Sequence, residues 1–168
     1  MKPVPDHLLR DYLVKECHAT VDEADFASAF AMGNIGKARE AIMSEDFLAL
    51  KKSGLAILRH IHELTDYEIM GRLKEEMSRK ELIPDYLDMM QIWFRDLLVL
   101  KAVGDKTRLI FRGEYEYLVS QGKIVEYEDL HEIIKDIQEA RFRLQANVNV
   151  QALLEVLHIG TRNRFRYR

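Results

Sequence analysis

Residues 83–104 read IPDYLDMMQIWFRDLLVLKAVG, and the fold turns on whether their apolar half is a strand or part of a helix. Taken alone, Asp96 to Val103 is a short apolar run of the kind that buried strands show. Its flanks decide otherwise. Ile83, Leu87, Met90, Phe94, Leu97 and Lys101 recur at alternating steps of four and three, with Trp93 and Leu98 widening the stripe. Gly104 closes it. That period places one apolar face of a single helix toward a core.

The same period governs the neighbours. Upstream, Phe47, Leu50, Gly54, Leu58, Ile61, Leu64, Ile69, Leu73 and Met77 predict one long helix from Ser44, or two in succession with a kink, ending near Arg79 and Lys80. Before it stand three short helices. The first follows Pro5, with Asp6 in its first turn and Leu8, Leu9, Tyr12 and Leu13 as its stripe, and ends near Cys17. Thr20 and Glu23 have capping-box spacing for the second, which Gly33 stops; the third runs from Lys37 to about Met43. Downstream, Leu109, Phe111, Tyr115 and Leu118 predict a helix weakened by Gly113 and ended by Gly122. Glu126, Glu128 and Asp129 open another, carrying Leu130, Ile133, Ile134, Ile137, Ala140, Arg141 and Leu144. Asn147 and Asn149 break it, and Asn149 caps a last helix with Val150, Leu153, Leu154 and Leu157. The fold class is therefore all-α: a three-helix segment over residues 1–43, thin for an independent fold, then a helical bundle over residues 44–168.

Composition narrows the function classes. With 168 residues, 48% hydrophobic and 32% charged, the chain buries a core without staples. The single cysteine, Cys17, excludes an internal disulfide and a cysteine-based zinc cluster. No apolar run approaches the roughly 20 residues of a membrane span. The start, Met1 to Asp6, lacks the apolar core of a signal peptide, so a cytoplasmic protein is expected. A net charge of -3 argues against a dedicated nucleic-acid binder.

The catalytic inventory is empty. No Walker-type loop or dinucleotide fingerprint occurs, and Gly33-Asn34-Ile35-Gly36 reads as a helix stop and restart. His60 and His62, two apart on a regular helix, point about 200° from each other and cannot share a metal. With Glu63 and Asp66 they read as a solvated face, the alternative being a metal-dependent helical hydrolase that needs a kink there. Glu75-Glu76 and Glu114-Tyr115-Glu116 are carboxylates without a basic clamp, read as surface. Cys17 beside His18 is read as a half-buried apolar residue, not a dyad. In the tail, Arg162, Arg164, Arg166 and Arg168 alternate with polar and aromatic residues. That suits nucleic-acid contact, an edge strand or a partner contact, and keeps a helical DNA-binding regulator as an alternative.

A resemblance adds what periodicity does not. Ile92 to Lys101, reading IWFRDLLVLK, resembles the aromatic-Arg-Asp-Leu-Leu signature of the C-terminal domain of bacterial DNA polymerase III delta-prime subunits. Ile133 to Ala140 and Leu144 to Glu155, with its Asn147-Val148-Asn149, resemble that family's ending. Ala31 to Ala38, reading AMGNIGKA, resembles the end of the small helical lid after its ATPase core. The tau/gamma subunit shares the architecture.

The resemblance implies a non-catalytic clamp-loader subunit carrying the lid and collar without the ATPase core, as an engineered fragment or truncated gene would. Its partners would be the tau/gamma and delta subunits in a pentamer that loads the sliding clamp onto primed DNA. DNA would be met only through the complex. No cofactor and no membrane are implied, and the exposed collar face would allow weak self-association of the chain alone. Trp93, Phe94, Arg95, Asp96, Leu97, Lys101, Asn147, Asn149, Leu153 and Glu155 would form the collar core or interface. ATPase members carry a nucleotide-sensing arginine one position before Lys37; here Gly36 stands, so Gly36 and Lys37 form a degenerate sensor. The family's polar residue after the signature is also missing, with Phe111, Arg112 and Gly113 in that area.

Overall fold

A computed structural model describes residues 2–165, the side chain of Glu76 excepted. Among the described residues the chain forms α1 (Asp6–Glu16), α2 (Val21–Ala31), α3 (Ile35–Met43), α4 (Glu45–His60), α5 (Asp66–Glu76), α6 (Ile83–Val103), α7 (Tyr115–Gly122), α8 (Tyr127–Arg143) and α9 (Val150–Asn163), with short 3-10 turns and no strand. The all-α reading holds. Among the described residues no helix is long and apolar enough to cross a membrane.

Local chemistry sets the helix ends. Thr20 Oγ1 accepts from the Glu23 N–H at 3.3 Å while the Glu23 carboxylate accepts from the Thr20 N–H at 2.8 Å, so the capping box is complete. The Thr20 N–H and hydroxyl, both donating to it, hold the Glu23 carboxyl below its ordinary pKa. α2 ends with Met32 and Gly33 both at positive φ, 46° and 83°. Gly33 lies against the N-terminal segment: its carbonyl accepts from the Val4 N–H, and a Cβ there would sit 2.6 Å from that of Pro3. Only glycine fits such a site. Asn34 Oδ1 then caps α3 through the Lys37 N–H. In α1 the buried stripe is narrower than expected, because Leu9 and Leu13 are buried whereas Leu8 faces outward.

The long periodic stretch after Ser44 is two helices. Ile61 and Leu64 keep the apolar period through the connection and are buried, which is why the pattern reads as continuous. The break is chemical: Thr65 and Glu68 form a second capping box, with the Thr65 N–H donating to Glu68 at 2.8 Å. α5 also ends at Glu76, short of Arg79, which pairs instead with Asp46 and Glu81.

α6 is the central helix and packs against α4, α7 and α8. Tyr86, Leu87, Met90, Trp93, Phe94 and Leu97 on it are fully buried, and each such side chain contributes on the order of 1.5–3 kcal/mol. Gly54 of α4 lets α6 approach: a Cβ there would meet the Tyr86 ring at 2.9 Å. The expected helix over Leu109 to Leu118 is shorter than read. Leu109 and Phe111 are buried in a loop of 3-10 turns, and only Tyr115 onward is α-helical. Phe26 and Phe30 of α2 pack on Phe47 of α4 and Phe26 on Phe111, at ring separations of 4.9–6.4 Å. The core of the first three helices is thereby continuous with that of the bundle.

Candidate interaction surface

The signature residues of α6 act from inside the fold. Trp93 Nε1 donates to Gln121 Oε1 at 2.9 Å, and Gln121 Nε2 donates to the Leu58 carbonyl at 2.7 Å and that of Arg59 at 3.1 Å. One buried amide thus satisfies carbonyls at the C-terminal end of α4 and joins α4, α6 and α7. Asp96 is fully buried. Its carboxylate accepts from the N–H groups of Ile110 at 2.9 Å and Phe111 at 2.7 Å, and from Arg95 at 2.7 Å. Burial pushes its pKa up, and those three donors pull it back only in part. Arg95 is exposed and also donates to the Arg108 carbonyl, while Lys101 donates to the Gly122 carbonyl at 3.0 Å. Phe94 and Leu97 are buried and Leu98 partly so. Arg95 and Asp96 therefore fix the register of the 108–111 loop within the chain.

The degenerate sensor position is also tied inward. Lys37 Nζ reaches Asp88 Oδ2 at 2.8 Å and lies over the Phe30 ring at 4.2 Å, with Asp85 at 4.0 Å. Asp88 additionally pairs with Arg141 of α8. One carboxylate therefore links α3, α6 and α8. Gly36 precedes it in the first turn of α3.

Two expectations need correction. The histidine stretch is not a solvated helix face: α4 ends at His60, and His62 is buried in the turn beyond. His62 packs on Phe165 and lies 3.3 Å from Gln121 Nε2, and burial lowers its pKa. His60 bonds Glu63 at 2.9 Å, and Asp66 pairs with Arg162 at 2.5 Å. No group of three or more His, Cys, Asp or Glu that could hold a metal occurs among the described residues. Glu114 does have a basic clamp, because Arg59 grips it in a bidentate pair with both bonds at 2.6 Å. The clamp comes from 55 residues away, beyond the reach of local pattern. Cys17 is half-buried, as read.

As far as Phe165 the tail is helix end, not edge strand. α9 runs to Asn163; Arg162 donates to the Leu64 carbonyl at 3.2 Å and Arg164 pairs with Asp136 at 3.2 Å. Phe165 is buried. Arg166 and Arg168 lie outside the described residues. Asn149 caps α9 through the Ala152 N–H at 3.0 Å, whereas Asn147 is exposed.

What remains open is the outer face of α9. Leu153, Val156 and Gly160 line a groove of about 240 Å³ shared with Ala140 and Arg143 of α8. Gln151 and Glu155 line a second, of about 740 Å³, shared with Tyr67 and Met70 of α5. Val156 is 72% exposed and Tyr67 86%, with Met70 and, on α8, Phe142 also exposed. They stand on adjoining helices, and exposed apolar side chains that join into one patch serve as contact surfaces. Beneath it, His158 is fully buried. Its Nδ1 donates to the Leu154 carbonyl at 2.6 Å, so its Nε2 accepts from the Tyr86 hydroxyl at 2.5 Å. Gln121 and His158 were not singled out in the sequence, although Gln121 lies three residues after Leu118 and His158 four after Leu154, on the buried stripes.

No family model, curated protein or solved structure matches the chain.

Proposed function

We propose that the chain is a non-catalytic assembly module of a bacterial DNA polymerase III clamp loader, of the delta-prime type, with the tau/gamma type as the neighbouring reading. The observation that carries this is the outer face of α9. Leu153 and Glu155, both in the stretch that resembles the family's ending, line its two grooves beside the exposed Val156. Trp93 and Asp96 of the other matched stretch support the reading differently, as buried polar anchors that keep the helices in register. Protein partners suit such a surface, which mixes apolar and charged groups: Leu153, Val156 and Leu157 with Asp136, Glu139 and Arg143 in the first groove, and Tyr67 and Met70 with Glu68, Arg72, Lys74, Glu75 and Glu155 in the second.

The test is reconstitution. The chain is mixed with tau/gamma and delta subunits and the mass is read by light scattering. A stable species containing all three supports the proposal. A chain that stays separate in a mixture where full-length delta-prime assembles overturns it. Salt-steep binding of duplex DNA by the chain alone would instead favour the regulator.

A further inference from the structure

Gly71 stands in the middle of α5, where a glycine weakens the helix relative to alanine. Ile69 and Leu73, two residues to either side, are buried. Residues two apart on a helix point about 200° from each other, so Gly71 lies at the centre of the outer face. Among the described residues, a Cβ on it would meet nothing within 4 Å. Gly54 is the contrast within the same chain. A Cβ there would strike the Tyr86 ring, so that glycine is what lets α4 and α6 come together. At Gly71 the same notch is cut and no helix of this chain fills it.

The surroundings say what would fill it. Tyr67 and Met70, both exposed, line with Gly71 the groove of about 740 Å³ that reaches α9. Five charged side chains line it as well: Glu68, Arg72, Lys74, Glu75 and Glu155. None of the five forms an ion pair among the described residues; Glu68 is turned to the Thr65 N–H and Glu155 to the Gln151 amide. Carboxylates outnumber cations there by one. We propose that Gly71 is the point at which an amphipathic helix of a partner subunit crosses α5, its backbone seated against the glycine. This rests on the assembly reading above and names the partner's element. That helix sets an apolar side chain beside Tyr67 and Met70 and a basic one toward Glu75 and Glu155, which complements the excess of carboxylate. A helix fits because Tyr67 and Lys74, a turn before and a turn after Gly71, wall a gap in the ridge of α5, the setting in which ridges pack into grooves.

The test compares Gly71→Ala, Gly71→Gln and Glu75→Lys with the parent, in urea unfolding and in the mixture with tau/gamma and delta subunits. Both glycine variants add a better helix former where the chain's own fold leaves room. Each should therefore raise the folding equilibrium constant, by about fivefold for alanine. Incorporation, read by light scattering, should move the other way: a small loss for Gly71→Ala and at least about tenfold for Gly71→Gln, whose side chain fills the notch. Glu75→Lys reverses the charge offered to the partner and should also weaken incorporation, less so in high salt. A parent that never joins the mixture overturns the assembly reading and this inference with it. A parent that joins while Gly71→Gln or Glu75→Lys joins equally well overturns this inference alone. Glycine variants that unfold more readily than the parent would show that Gly71 serves the chain's own fold, and overturn it too.

Discussion

His158 has both ring nitrogens committed inside the fold, one to the Leu154 carbonyl and one to Tyr86. Burial holds its pKa down, to about 4, against the upward pull of the Leu154 carbonyl. The sign follows from linkage. Unfolded chains take up a proton near 6.5 and the native chain only near 4, so the stability due to neutral His158 is complete above 6.5 and lost as pH falls toward 4. The loss amounts to about 3 kcal/mol. Urea unfolding between pH 7 and 4, compared with His158→Gln, should show the steeper fall in the parent; parallel curves would contradict the assignment. Asp96 is the other residue on which local structure hinges. Asp96→Asn turns an amide toward the N–H groups of Ile110 or Phe111, so it should lower stability by about 2 kcal/mol in urea unfolding at neutral pH. An unchanged midpoint would mean that the loop is held by other contacts.

At the scale of elements, the helices and several of their ends were legible because each is written in adjacent residues, as Thr20 with Glu23 and Asn149 before α9, whereas α3 starts at Ile35 behind its Asn34 cap, two residues before the Lys37 start that was read. The break between α4 and α5 was equally written, in Thr65 and Glu68, but the buried Ile61 and Leu64 carried the apolar period across it and masked the stop. Thr65→Ala should therefore cost about 1 kcal/mol, read as a lower urea midpoint, and leave the helical content nearly unchanged. The contact of α4 with α6 at Gly54 shows what no one-dimensional pattern holds. Gly54 stands in an apolar stripe like any small residue, yet Tyr86 leaves no room for a Cβ. Gly54→Ala, which favours helix in isolation, should instead destabilise by about 1–3 kcal/mol. A stabilised variant would show that the two helices can move apart freely.

For the whole molecule, the sequence separates what faces inward from what faces outward only where the period is strong. It marked Trp93 and Phe94 as core or interface without deciding between them, since both settings select aromatic residues. The fold decides: both are fully buried within the chain, and the surface proposed for partners is α9 with its α5 and α8 neighbours. Arg59 with Glu114 and Lys37 with Asp88 were beyond reach for another reason, since ion pairs 51 or more residues apart depend on tertiary placement.

Assembly through α9 is tested most directly by comparing two charged substitutions in the clamp-loader mixture. Val156→Asp places a charge at the centre of the α9 face; Val103→Asp places one on an exposed apolar residue at the end of α6. Neither removes a buried side chain, so both chains should fold. Light scattering of each with tau/gamma and delta subunits should show Val156→Asp weakening incorporation at least about tenfold while Val103→Asp assembles like the parent. Equal incorporation of both variants would contradict the claim that α9 is the surface on which this chain assembles.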